Sequence, residues 1–81
     1  MSWHVYIIKC KDNLLYTGIT KDLERRVKEH SSGRGCKFTK YRAPVKLMHS
    51  EEAENRSQAL IREAEIKGFS RLRKLKLFKG E

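Results

Sequence analysis

The sequence predicts a small α/β (α+β) domain, a three-stranded antiparallel sheet flanked by helices in the order ββαβαα. Three observations lead there. Two short β-rich runs, residues 3–10 and 14–18, are separated by the polar stretch Lys11-Asp12-Asn13. A third run, residues 45–50, alternates apolar and polar side chains after Pro44. The remaining periodic stretches each start at a residue suited to cap a helix.

The first run contains Trp3, Val5, Tyr6, Ile7 and Ile8, and the second contains Leu14, Leu15 and Tyr16. Together they read as a hairpin, and the loop length decides which side chains share a face. A two-residue loop, Asp12-Asn13, would pair Lys9 with Tyr16 and set Tyr6 and Tyr16 on opposite faces. A three-residue loop, 11–13, pairs Ile8 with Tyr16 and sets both tyrosines on one face, because side chains alternate with period two. Asn13 suits the left-handed position that such a loop requires last. The three-residue loop is therefore expected.

Thr20 is the expected cap of the next helix, with Asp22 and Glu24 in its first turn complementing the dipole. The helix runs to about residue 30 or 31. Leu23, Val27 and His30 form its apolar edge, Arg26 lies between them, and Arg25 faces water. Residues 31–42 form a basic loop with Gly33 and Gly35, in which Arg34, Lys37, Lys40 and Arg42 alternate with Phe38 and Tyr41. Asn55 caps the second helix, with Gln58 at the third position of a capping box. Ala59, Leu60, Glu63, Ile66 and Lys67 share one side of it, and Gly68-Phe69 reads as a Schellman-type stop. Ser70 caps a last helix with Leu72, Leu75 and Phe78 among Arg71, Arg73, Lys74, Lys76 and Lys79.

At 81 residues the chain is expected to form one domain, residues 1–81. Such a domain buries only about 60% of its unfolded surface, which favours a shallow surface site over a large internal pocket. Nineteen Lys and Arg against ten Asp and Glu give a net charge of +9. That excess favours a polyanionic partner, nucleic acid ahead of an anionic membrane. Solubility or attachment to a ribosome is the competing explanation. The N-terminus enters the first strand without a basic leader, and no apolar run approaches a membrane span. Cys10 and Cys36 lack zinc spacing and are expected to be reduced thiols in a cytoplasmic protein.

Tyr6, Tyr16, Arg26, His30 and Glu63 could surround one metal-bound phosphodiester. At these residues the chain resembles the GIY-YIG nuclease superfamily. The first family tripeptide corresponds to His4-Val5-Tyr6 and the second to Tyr16-Thr17-Gly18. Residues 18–30 are similar to the helix that follows in the family, and residues 59–63 to its acidic helix. The resemblance covers nearly the whole chain, most closely the small stand-alone bacterial members of uncharacterised function. It implies a Mg²⁺-dependent (or Mn²⁺-dependent) DNA endonuclease acting in repair, recombination or DNA turnover.

The residue chemistry fits that expectation. Glu63 is the candidate metal ligand, since Mg²⁺ commonly takes one or two carboxylates and keeps several waters. Taken alone it would read as a boundary Glu, as Glu65 does. Tyr6 and Tyr16 are the candidate base and proton-relay pair, and which one accepts the water proton stays open. An unperturbed phenol is only about 0.1% ionised at neutral pH, so the metal, Arg26 or a lysine would have to activate it. Arg26 offers a planar fork to the scissile phosphate. His30 could bind a phosphate or hold one of the tyrosines. The phenols are expected to project toward Arg26 and Glu63. Lys9, Thr17, Lys21, Arg34, Lys37, Lys40 and Arg42 are candidate backbone-phosphate contacts, and Gly18 is expected to ease the turn from strand into helix.

Two departures from the family stand out. His4 occupies the place of the first glycine, and the chain stops soon after the catalytic core, which leaves target choice to a protein partner. Two other readings compete: a non-catalytic nucleic-acid-binding module on the same fold, and a basic protein that binds another protein or the ribosome.

Overall fold

The most apolar segment takes the most buried place. In the computed structural model, which describes residues 2–34, 37, 40 and 42–78, strand β1 (Trp3–Lys9) lies at the centre of a sheet ordered β2-β1-β3. Strand β2 (Leu15–Thr20) and strand β3 (Lys46–Ala53) both run antiparallel to it. Helices α1 (Leu23–Ser31), α2 (Arg56–Lys67) and α3 (Arg71–Leu77) complete the expected order ββαβαα.

The hairpin has the three-residue loop. Ile8 pairs with Tyr16, Cys10 N–H donates to the Leu14 carbonyl at 2.8 Å, and Asn13 is left-handed at φ 68°. Alternation along β1 then sorts the two faces. Val5 and Ile7 point toward α2, where they form a core with Ala59 and Ile66. Trp3, Leu15, Ile19, Phe69, Leu77 and Phe78 pack around that core. Each fully buried Val or Ile there contributes about 2 kcal/mol relative to exposure. Tyr6 and Ile8 point to the other face, which α1 covers through His30.

Four local expectations change. Asp22, not Thr20, caps α1: its carboxylate accepts the Arg25 N–H at 3.1 Å and brings a full charge to the helix N-terminus. The Thr20 hydroxyl instead accepts the Asp22 N–H at 3.1 Å and shapes the entry. β3 continues through Glu51, Glu52 and Ala53, because these residues pair with Val5, His4 and Trp3, and pairing outweighs the poor strand propensity of Glu. The third change is at the end of α2. Gly68 stays right-handed at φ −81°, so the helix closes without a left-handed cap, its N–H donating to Ala64 and Glu65. Finally, Gly18 lies inside β2 rather than in a turn. Gly35, Cys36, Phe38 and Tyr41 of the basic loop, and Lys79 of the last helix, lie outside the described residues.

Candidate active site

The register that pairs Ile8 with Tyr16 brings Tyr6, Tyr16 and Gly18 to the face under α1. The Tyr6 and Tyr16 rings stand 6.4 Å apart, centroid to centroid, and His30 lies 5.8 Å from the first and 5.2 Å from the second. The Tyr6 hydroxyl and His30 Nε2 are 2.9 Å apart, and both residues are almost wholly buried. Arg26, one turn before His30, also hydrogen-bonds Tyr6. A guanidinium can only donate, so Tyr6 Oη accepts from Arg26, and the imidazole tautomer sets the direction of the Tyr6–His30 bond.

Electrostatics set the charges around this bond. Burial, and then the adjacent Arg26 charge, push the His30 pKa down to about 4. The ring is therefore neutral near pH 7, with one nitrogen free to accept. Burial works against the Arg26 charge, but hydrogen bonds to Tyr6 and Glu29 outweigh it and raise its pKa. Glu29 holds Arg26 Nη1 at 3.1 Å and Arg25 Nε at 3.4 Å, and the Arg26 bond lowers the Glu29 pKa.

Gly18 owes its place to Tyr6. A Cβ on Gly18 would stand 2.5 Å from Tyr6 Oη, 2.8 Å from Cζ and 3.2 Å from Tyr16 Cε2. Only a residue without a side chain lets the buried phenol cross β2 there. The need arises from close approach, a contact that local sequence does not signal.

Glu63 stands in the other layer, so the phenols face Arg26 and His30 rather than Glu63 directly. Its position still has a direction. Ala59 and Ile66 mark the sheet-facing stripe of α2, and at about 100° per residue Arg62 and Glu63 flank that stripe on opposite sides, each by about 50°. Arg62 reaches Glu51 on β3, with Nε to Oε1 at 2.8 Å and Nη2 to Oε2 at 3.1 Å. The sheet order puts β2 on the other flank, so Glu63 leans toward β2, the open edge that carries Tyr16 and Gly18. An open groove at the end of that edge joins the two layers, with Trp3 and Ile19 on one side and Arg26 and Glu29 on the other.

The chemistry of the carboxylates separates Glu63 from the other sheltered acids. Glu29 and Glu51 are each held by arginine. The Glu63 side chain is 17% exposed and pairs at 3.4 Å with the half-exposed Lys67, an interaction that water and cations readily exchange. Among the described residues no three His, Cys, Asp or Glu side chains form a metal cage. Mg²⁺ does not require one when waters and a substrate phosphate complete its shell, so Glu63 fits as a single-carboxylate ligand.

The candidate phosphate contacts are scattered. Lys21 lines the groove beside Arg26 and lies 5.5 Å over the Trp3 ring. Arg34, Lys37 and Lys40 are exposed. Arg42 pairs with Asp12 at 3.0 Å and so helps tie the basic loop to the hairpin. Lys9 alternates onto the α2 face, away from the phenols. Thr17 is only 3% exposed and turned toward α2, which removes it from the phosphate contacts.

This arrangement can be compared with known proteins. The model of the GIY-YIG catalytic domain matches residues 2–76. The chain belongs to the GIY-YIG catalytic domain family. Within that family it is 54% identical over 74 residues to UPF0213 protein SSP2268 of Staphylococcus saprophyticus, covering 91% of this chain and 90% of that protein. It is 53% identical to UPF0213 protein HQ_3675A of Haloquadratum walsbyi, covering 91% and 83%. Two solution NMR structures share the fold over the whole chain. UPF0213 protein BH0048 of Bacillus halodurans has 40% identity, a TM-score of 0.63 and 86% of its length covered. Protein EF2693 of E. faecalis has 41% identity, a TM-score of 0.65 and 90% of its length covered. No described helix is long and apolar enough to cross a membrane.

Sequence reading missed one cluster. His49 Nε2 lies 2.7 Å from Glu51 Oε2, and Arg62 clamps the same carboxylate. The Arg62 hydrogen bond lowers the Glu51 pKa, while Glu51 raises that of Arg62. Two polar residues at alternate strand positions are the only sequence signal. The cluster fastens α2 to β3 and thereby sets the phase that turns Glu63 toward β2.

Proposed function

We propose that this GIY-YIG protein is a metal-dependent DNA endonuclease that hydrolyses phosphodiester bonds at the β2 edge. The carrying observation is the buried Tyr6–His30 pair with Arg26 at its edge, and Gly18 cut to the shape of the Tyr6 hydroxyl. Hydrogen bonding of this kind holds side chains in fixed geometry, which phosphoryl chemistry needs.

Tyr6 is sealed from solvent and holds Arg26 and His30 in register. Tyr16 is only half-buried, in ring contact with His30, and is the phenol that meets the attacking water; it would accept the water's proton as the phenolate, having first given up its own. The Arg26 side chain is 30% exposed beside the groove, where its fork neutralises charge on the phosphate. Glu63 would hold Mg²⁺ or Mn²⁺, which would supply neutralising charge and an activated water. Lys21 and the exposed Arg34, Lys37 and Lys40 steer the DNA backbone. The reaction would serve repair, recombination or DNA turnover.

The test is incubation of the protein with plasmid, branched, flapped and single-stranded DNA in Mg²⁺ or Mn²⁺, with Glu63→Ala as control. Metal-dependent cleavage by the wild type that Glu63→Ala lacks supports the reading. Binding without cleavage of any substrate would leave a nucleic-acid-binding module on a nuclease fold.

A further inference from the structure

Trp3 is the one tryptophan of the chain, and the chemistry proposed above does not use it. It is half-buried at the rim of the core, and it also lines the open groove that Arg26 lines. Packing against the core accounts for part of the ring and leaves the part that meets the groove.

The strand register brings it there. His4 and Thr20 are the last pair between β1 and β2, so Trp3 comes next, opposite Lys21. The Lys21 ammonium stands 5.5 Å from the centre of the Trp3 ring. Lys21, Arg25 and Arg26 all line the groove. Its carboxylates are engaged: Asp22 caps α1, and Glu29 is held by both arginines. An aromatic ring among cations in an open groove suits an unpaired nucleotide, the ring stacking the base and the cations taking the flanking phosphates. Stacking of a base outweighs an exposed contact between a cation and a ring. A base therefore displaces the Lys21 ammonium, which moves to the phosphate beside it.

We infer that Trp3 is a stacking platform for an unpaired base next to the phosphate held by Arg26, so that the groove selects DNA with a single-stranded nucleotide at that point over continuous duplex. This rests on the assignment of Arg26 to the scissile phosphate made above. A base inside a duplex has both faces covered by its neighbours and cannot meet the ring without leaving the stack. Ile19, which also lines the groove, adds apolar surface beside the ring.

Because Trp3 is the one indole, its fluorescence reports stacking directly. The full chain is titrated, in EDTA so that nothing is cut, with two single strands of about ten nucleotides, one with its bases and one fully abasic, and with a blunt duplex. Affinities of wild type, Trp3→Leu and Trp3→Phe are read from the anisotropy of a fluorescein label on each DNA, beside the thermal midpoint of each protein. In wild type the base-bearing strand should quench Trp3 and bind about tenfold more tightly than the abasic strand. The duplex should bind through charge and leave the fluorescence near its starting value. Trp3→Leu should lose the preference for bases and stay within about twofold of wild type on the abasic strand, while Trp3→Phe keeps most of the preference. Equal quenching by the two single strands, or a base preference that survives in Trp3→Leu, would overturn the stacking role; the wild-type quenching alone decides it if Trp3→Leu does not fold. Quenching by the base-bearing strand without cleavage once Mg²⁺ or Mn²⁺ is added would remove the endonuclease reading and leave the platform. Cleavage without that quenching would remove the platform and leave the endonuclease.

Discussion

Replacing Gly18 with alanine tests the geometry of the site without touching any reactive group. Gly18 lies in extended strand backbone, so alanine costs nothing in backbone conformation and the whole penalty is steric. The added methyl carbon would meet Tyr6 Oη at 2.5 Å and Cζ at 2.8 Å. Tyr6 cannot step aside cheaply, because it is 1% exposed and bonded to both His30 and Arg26. Overpacking of this kind costs about 1–3 kcal/mol, and one stretched buried hydrogen bond adds about 1 kcal/mol. We expect Gly18→Ala to lose about 3 kcal/mol, a fall in midpoint of roughly 10–20 °C for a domain this size. Urea unfolding followed by Trp3 fluorescence measures it. In a Tyr6→Phe background the nearest clashing atom is gone, so the same substitution should cost about 1 kcal/mol less. A Gly18→Ala penalty below about 0.5 kcal/mol, or one unchanged by Tyr6→Phe, would refute the reasoning.

Three further outcomes follow from the same geometry. Because the folded His30 pKa is depressed to about 4, the folded chain excludes a proton that the unfolded chain binds below its ordinary 6.5. Stability from this ring is full above pH 6.5 and fades as pH falls toward 4, by at most about 3 kcal/mol; urea midpoints from pH 7 to 5 should drop in wild type and stay flatter in His30→Gln, and equal slopes would sink the assignment. Arg26→Lys keeps the charge but loses the fork, and should slow single-turnover cleavage about 10²-fold while DNA affinity moves only a few-fold; equal losses in rate and affinity would contradict it. DNA binding through the basic loop and the C-terminal basic helix should weaken with salt, with about 0.9 added to the slope of log affinity against log salt per phosphate contact; a flat titration would mean the basic surface serves another purpose.

The fold was legible in the sequence wherever local chemistry decided it. Asn13 in the left-handed position sets the hairpin register, and that register alone puts both tyrosines on one face. What local reading missed depended on contacts between distant residues. The phase of α2 shows that Glu63 is near the sheet but not which face α2 covers, so its separation from the phenols came only with the tertiary arrangement. Gly18 looks like a turn residue until the Tyr6 hydroxyl is seen crossing it. Glu51 and Glu52 read as residues beyond the third strand, yet they pair with Val5 and His4 on β1. Thr20 reads as the cap of α1 with Asp22 in its first turn, yet the Asp22 carboxylate takes the cap at the helix dipole.

The most direct test of the central claim is single-turnover cleavage and DNA affinity measured side by side for wild type, Glu63→Gln and Glu65→Gln. Glu63→Gln keeps the shape and removes the charge, so cleavage in Mg²⁺ or Mn²⁺ should be lost while affinity stays within a few-fold. Glu65, exposed and about 200° round the helix from Glu63, should tolerate the same change. Cleavage that survives Glu63→Gln intact would contradict a site built on that carboxylate at the β2 edge.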